Sequence, residues 1–174
     1  MNYYKATEQQ TPILFGHDLR EQILSLKHPS QPLIFLCIGT DRSTGDSLGP
    51  MIGTNLQGIV KHIPVYGTLK EPVHAVNLNQ CLSHINQTYK SPFLIAIDAC
   101  LGTKEHIGYI TLDQGSLFPG ESIQKELPSV GDLAITGIVN HAKHSNFFVL
   151  QSTRLHLVMQ LAKVISMGIT FALK

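Results

Sequence analysis

Charged residues are scarce in this chain. Only 14% of its 174 residues are Asp, Glu, Lys or Arg, and the formal net charge is +1. Globular domains usually carry about a quarter charged residues, so the low fraction predicts extensive burial or a covered surface, such as the interface of a homo-oligomer. The sequence has no basic run that could attract nucleic-acid phosphates or a membrane surface. We therefore expect neither nucleic acid nor membrane as a partner.

Long apolar runs and a regular cysteine pattern are missing as well. No stretch approaches the roughly 20 apolar residues of a membrane span. The first twelve residues lack the apolar core of a signal peptide. The three cysteines, Cys37, Cys81 and Cys100, are odd in number and far apart. A disulfide framework is therefore not expected, and a reducing, cytoplasmic compartment is the simpler interpretation.

The sequence does contain an alternation of strand and helix patterns. The runs LIFLCI (33–38) and FLIAI (93–97) are continuously apolar, as strands buried on both faces are, and helical spacing follows the first run at 46–61. Such alternation predicts an α/β fold with a central, mainly parallel sheet covered on both sides by helices. We interpret residues 1–16 as an N-terminal arm and 17–174 as a single domain.

The second half of the chain is harder to interpret. Residues 127–140 fit a strand or a helix, because their glycines weaken both patterns. Residues 147–150 (FFVL) have the apolar character of a short strand. Residues 152–167 have a helical stripe, for which Ser152 or Thr153 is the expected N-cap.

The first candidate site is the loop GTDRSTGDSLGP (39–50), which follows a predicted strand. Ligands of parallel sheets bind beyond the carboxyl ends of the strands. Asp46 falls where the next helix begins, and free amides there favour its ionised form. Such a carboxylate can act as a general base or as a metal ligand. The alternative is that Asp46 only caps the helix and the glycines only form the turn.

The second candidate site is Asp98, directly after FLIAI (93–97). A carboxylate at the end of a buried strand needs a partner or an opening to solvent. If the two strands are neighbours, Asp46 and Asp98 approach each other, and their like charges separate the two pKa values into a general base and a general acid. The thiol of Cys100 is a rival nucleophile, although a structural thiol is the more common case.

Backbone amides near these carboxylates are the candidate oxyanion and substrate contacts. They come from two segments, 39–45 and 131–137. The substrate-binding residues that we predict are Gly39, Thr40, Asp41, Gly45, Gly131, Asp132 and Thr136.

A metal site is the alternative use of the same carboxylates. His141 and His144 are three residues apart and could share a face with Asp46 and Asp98 as a ligand set. The alternative, histidines at a solvated helix end or loop, is the more common case, and neither HExxH nor a zinc-finger spacing occurs in the sequence.

Four segments together resemble a known family. They are CIGTDRSTGDSLGP (37–50), PFLIAIDACLG (92–102), PSVGDLAITGIVN (128–140) and VLQSTRLHLVMQLAKVISMGI (149–169). Through them the chain resembles the YyaC-type sporulation proteins, a family classed as spore proteases. More distantly it is similar to germination protease and to hydrogenase maturation proteases, which share an α/β/α sandwich with a central, largely parallel sheet.

This resemblance implies roles for individual residues. In germination protease the catalytic pair is an Asp in a PDALGP-like turn and an Asp in an IDAL-like strand end, and the matching residues are Asp46 in GDSLGP and Asp98 in IDACLG. In hydrogenase maturation proteases the first position is usually Glu, and a His completes a nickel-sensing site. That His has no clear counterpart in this sequence, which favours a metal-free pair.

Three hypotheses follow for the function. The first is a cofactor-free protease that hydrolyses a protein or peptide substrate with Asp46 and Asp98, in the cytoplasm of the mother cell or forespore of a sporulating bacterium. The second is a metal-dependent processing protease of the hydrogenase-maturation type. The third is a non-catalytic sporulation factor that acts as a binding module.

Overall fold

The computed structural model describes residues 2–119, 127–142 and 146–174. The strands in these ranges are β1 (Asn2–Lys5), β2 (Leu33–Cys37), β3 (Val65–Tyr66), β4 (Phe93–Gly102), β5 (Tyr109–Gln114) and β6 (Leu133–His141). The helices are α1 (Thr11–Leu26), α2 (Leu48–Ile59), α3 (Leu78–Thr88), α4 (Asn146–Gln151) and α5 (Leu155–Ala172). A short 3₁₀ turn, Gly45–Ser47, leads into α2.

The strands form a six-stranded sheet in the order β1-β5-β6-β4-β2-β3. Strands β6, β4, β2 and β3 run parallel to one another, and β5 runs antiparallel to both β1 and β6. The predicted central, mainly parallel sheet is therefore confirmed. The two longest central strands, β4 and β6, lie side by side in the middle of this sheet.

Alternating side chains of the central strands enter two separate cores. Phe35 and Ile97 belong to the core under α1, α2 and α5, whereas Leu36 and Ala96 belong to the core under α3. Each strand is thus covered on both faces, which explains why its sequence is a continuous apolar run rather than an alternating one. Helices on both sides of the sheet make the fold a three-layer α/β/α sandwich, as predicted.

The N-terminal residues differ from the loose arm that the sequence predicted. Asn2–Lys5 pair with β5 as an edge strand, and α1 begins at Thr11 with Pro12 in its first turn, a position that proline tolerates well. Tyr4 is buried, and its hydroxyl donates a hydrogen bond of 2.6 Å to Asp18. The interpretation of residues 2–16 as an arm is therefore wrong, because pairing with a distant strand, rather than a local pattern, determines their structure.

Two further segments differ from the predictions. The apolar residues 147–150 lie in helix α4 instead of a strand, because four apolar residues fit either structure and tertiary contacts decide. Helix α5 begins at Leu155, and Thr153 does not cap it. The Thr153 hydroxyl instead donates to the carbonyl of Val149 within α4, at 2.9 Å.

Helix α5 is long and apolar enough to span a bilayer by length and composition, but half of it is buried inside the domain. It packs against α1, α2 and the sheet. Core helices of folded domains share this composition, and α5 is such a core helix in this structure.

Candidate active site

Asp46 is held in place by the turn that leaves β2. Gly39 has a φ of 137°, a conformation that favours glycine, and a Cβ at this position would clash with the carbonyl oxygen of Asp46. The next residue, Thr40, donates its backbone N–H to that same carbonyl at 3.1 Å. Asp46 itself lies in the 3₁₀ turn before α2. The glycine turn therefore brings the Asp46 loop back over the carboxyl end of β2.

Asp98 lies within β4 rather than at its end, because β4 continues to Gly102. Its neighbour across the sheet is Thr136 of β6. One carboxylate oxygen of Asp98, Oδ1, accepts a hydrogen bond of 2.7 Å from the backbone N–H of Ala99. Asp98 has the same strand parity as Ala96 and therefore points to the α3 side of the sheet.

A row of polar side chains continues from Asp98 across the sheet. The Cys100 thiol donates to the Thr136 hydroxyl at 3.2 Å, and the hydroxyls of Thr136 and Thr111 are 2.7 Å apart. Thr111 pairs with Thr136 in the adjacent strand. Three neighbouring strands thus contribute polar groups to one floor, and Cys100 is one of the hydrogen-bonded members of this row.

Both aspartates line one cavity of about 980 Å³ on this side of the sheet. Of the predicted substrate contacts, Thr40, Asp41 and Thr136 also line it. The structure therefore brings the two predicted sites into a single pocket that is large enough for several residues of a peptide.

Burial and mutual repulsion separate the two carboxyl groups electrostatically. Burial raises the pKa of Asp98 well above its ordinary value, and the negative charge of Asp46 raises it further, against the opposing hydrogen bond from Ala99. Burial also raises the pKa of Asp46, but the backbone N–H of Thr40 and the charge of His74 oppose that increase. Asp98 is therefore the carboxyl group that retains a proton, and Asp46 is the one that ionises first.

His74 is a site residue that the sequence analysis missed. It lines the cavity and follows Val73, which forms a parallel bridge with Ile38 and accepts a 2.8 Å hydrogen bond from the Gly39 N–H. Its own backbone N–H donates to the side-chain oxygen of Asn77 at 2.8 Å. No spacing or motif links His74 to Asp46 in sequence, so only the tertiary pairing of residue 73 reveals this contact.

The structure places other predicted contacts elsewhere. Asp132 immediately precedes β6, at its amino end, where its carboxylate accepts a 2.7 Å bond from the Leu94 N–H and its own N–H donates to the Leu94 carbonyl. Gly131 lies beside it, with a φ of 99°. Gly45 is buried against Leu150. These three residues shape the backbone around the strands and are not among the residues that line the cavity.

The structure describes one of the two histidines of the alternative metal site. His141 ends β6, and its backbone N–H and ring nitrogen Nδ1 lie 2.9 and 3.2 Å from the side-chain oxygen of Asn140. His144 lies outside the described residues. Within residues 2–119, 127–142 and 146–174, no group of three or more His, Cys, Asp and Glu side chains has the geometry to hold a metal ion.

Comparison with known proteins places the chain in a family. The family model described as "Protein of unknown function (DUF1256)" matches residues 3–168. The chain is 49% identical over 166 residues to the uncharacterized protein YyaC of Bacillus subtilis (strain 168), with 95% of this chain and 78% of that protein covered.

Comparison with solved structures also gives a similarity. It is to the crystal structure of a [NiFe] hydrogenase maturation protease, HycI, from Thermococcus kodakarensis KOD1, at 13% identity and a TM-score of 0.45, covering 85% of this chain and 98% of that one. The family match and the YyaC relative, which each span nearly the whole chain, carry the assignment. The chain belongs to the DUF1256 family and is a relative of YyaC.

Proposed function

We propose that this protein is a protease in which Asp46 and Asp98 act together on the peptide bond. The observation that carries the proposal is that two carboxylates from separate segments line one cavity, where the pKa of Asp98 is raised well above its ordinary value while Thr40 and His74 oppose the increase at Asp46. A base and an acid in one pocket are what hydrolysis of an amide requires. Resemblance to spore proteases supports the same activity, with the cytoplasm of a sporulating cell as its location.

In the proposed reaction, ionised Asp46 accepts a proton from a water molecule. At the same time the oxygen of that water attacks the carbonyl carbon of the scissile bond. The carbonyl electrons move to the oxygen, and the hydroxyl of Thr136 is the candidate donor to this oxyanion. When the carbonyl re-forms, the carbon–nitrogen bond breaks and protonated Asp98 donates its proton to the leaving nitrogen. The proton on Asp46 then returns to Asp98 through solvent, which restores the starting state.

His74 contributes by stabilising the negative charge of Asp46. This interaction opposes the rise in the pKa of Asp46 and so favours a proton on Asp98 rather than on Asp46. His74 therefore adds to the difference between the two aspartates that burial already creates.

The test is cleavage of an unfolded protein, such as reduced and alkylated casein, followed by mass spectrometry of the products. We expect Asp46→Asn and Asp98→Asn each to lower the rate by at least about 100-fold, since general acid or base catalysis typically contributes that much. Glu21→Gln is the control, because Glu21 is exposed on α1 across the sheet from the cavity. Cleavage that survives in both Asp variants would refute the proposal.

A further inference from the structure

Large apolar side chains are exposed at the mouth of the cavity that holds Asp46 and Asp98. The exposed fractions are 66% for Phe118, 55% for Phe147 and 81% for Val76, and all three residues line this cavity. Exposed apolar side chains that converge on a concave polar site indicate a surface that a ligand covers.

The two phenylalanines lie beyond opposite ends of strand β6. Phe118 follows β5, whose last residue, Gln114, pairs with Leu133 at the beginning of β6. Phe147 lies beyond the other end of β6, which is His141. Going along β6 from its first residue to its last therefore leads from Phe118 towards Phe147.

Asp98 lies between these two ends of β6. Asp98 pairs with Thr136, which is inside the nine-residue strand Leu133–His141. Such a strand is about 26 Å long at roughly 3.3 Å per residue, so an extended peptide of about eight residues spans it. A substrate that crosses the floor in this direction passes one phenylalanine before Asp98 and the other after it.

The charges around the cavity do not select a charged peptide. Beyond the catalytic pair, its lining includes the acidic Asp41 and Asp113 and the basic Arg42 and Lys70. Both signs are therefore present, and a peptide of either charge meets attraction and repulsion together. The lining therefore selects a peptide by contact with its apolar side chains rather than by its charge.

We propose that the site takes an unfolded, extended stretch of polypeptide with a large apolar side chain on each side of the scissile bond, one against Phe118 and one against Phe147. This inference rests on the proposed protease function and names its substrate class. Asp98 lies on the sheet floor of the cavity and Asp46 in the turn that lines it, where an extended chain reaches and a convex folded surface does not. Such apolar stretches are buried in folded proteins, so the substrate is a chain that is unfolded or has been opened.

The experiment compares two pools of fluorogenic peptides of about eight residues. Both have a Gly, Ala and Ser background; one carries Leu or Phe at two varied positions, and the other carries Ser or Thr there. We expect a KM about tenfold lower for the apolar pool. Phe118→Ser and Phe147→Ser should each raise that KM about tenfold, with kcat within about twofold of the wild-type value.

The matched control is Phe171→Ser, since Phe171 is 44% exposed on α5, which packs on the other face of the sheet. Its KM should equal that of the wild type. Equal KM values for the two pools, or unchanged values in both mouth variants, would overturn the inference.

Binding to an inactive Asp46→Asn/Asp98→Asn protein separates recognition from catalysis. Anisotropy of the fluorescein-labelled apolar pool should show binding that Phe118→Ser and Phe147→Ser weaken about tenfold. If this binding is seen while the wild type cleaves neither pool, the substrate class stands and the protease function is wrong. If cleavage depends on the aspartates but neither pool nor phenylalanine affects it, the function stands and the substrate class is wrong.

Discussion

At the scale of single residues, Asp98 carries the strongest signal of function. A carboxyl group inside a strand of the central sheet, with its pKa raised by burial and by a second carboxylate, is a poor choice for stability. Groups with strongly shifted pKa values cluster at functional sites because chemistry there offsets their cost. The unfavourable environment of Asp98 is therefore part of the argument for its role.

The replacement Asp98→Asn should stabilise the fold while it abolishes activity. Because the folded-state pKa of Asp98 is raised, the folded protein binds the proton more tightly than the unfolded chain does. Stability from this group is therefore complete below the unfolded pKa and is lost as pH rises through the folded pKa. Asparagine removes that loss, so we expect a melting temperature a few degrees higher at pH 7 and little change near pH 3.

Thermal unfolding at both pH values checks this expectation. Asp18→Asn is the control, since Asp18 lies on α1 and accepts its hydrogen bond from Tyr4 outside the site. A melting temperature that falls equally at both pH values would contradict the assigned environment of Asp98.

The pH dependence of cleavage follows from the same two groups. Activity requires Asp46 without a proton and Asp98 with one, so kcat/KM should rise as Asp46 ionises and fall as Asp98 loses its proton. Both pKa values are raised, that of Asp98 well above the ordinary value, so the active window lies on the alkaline side of ordinary aspartate titration.

Replacing His74 by Gln should move the acid limb to higher pH, because the interaction that lowers the pKa of Asp46 is lost. A pH–rate profile of the wild type and of this variant tests the prediction. An acid limb at the same pH in both would show that His74 does not favour the ionised form of Asp46.

At the scale of secondary-structure elements, the turn after β2 determines where Asp46 lies. Gly39→Ala should place a Cβ against the Asp46 carbonyl oxygen and force an unfavourable φ, so we expect a loss of at least about 1 kcal/mol and a displaced Asp46. Gly58→Ala is the opposite case, because Gly58 lies in α2 with no atom near the added methyl group. It should stabilise the protein by about 0.5–1 kcal/mol. Urea unfolding of the two variants measures both; equal effects would contradict this geometry.

The amino ends of β4 and β6 are joined by Asp132, which the sequence had favoured as a substrate contact. Asp132→Ala removes the acceptor of the Leu94 N–H and should cost about 1–2 kcal/mol of unfolding free energy. The kcat of the folded fraction should be unchanged, because this carboxylate lies at the amino end of the strand. Urea unfolding together with single-turnover cleavage distinguishes the two roles. A stable variant with a lower kcat would restore Asp132 to the substrate contacts.

At the scale of the whole molecule, local patterns predicted the layers and the carboxylate pair but not the contacts between distant segments. The runs at 33–38 and 93–97 are apolar because both faces of their strands are covered. Together with the rule that ligands bind beyond the carboxyl ends of parallel strands, this predicted that Asp46 and Asp98 meet if the two strands are neighbours. The edge strand β1 depends on pairing with β5, and the position of His74 depends on the pairing of Val73 with Ile38. No spacing in the sequence predicts either pairing. Predictions therefore succeeded where burial dictates composition and failed where one segment depends on a distant one.

The central claim is that the two aspartates interact in one pocket and hold a single proton, on Asp98, when the enzyme is ready to react. Carbon-13 NMR of the aspartate carboxyl groups, titrated in wild type and in Asp46→Asn, measures this directly. We predict that Asp98 titrates well above an ordinary aspartate and that its pKa falls when the Asp46 charge is removed. An ordinary pKa for Asp98, unchanged by Asp46→Asn, would contradict the account.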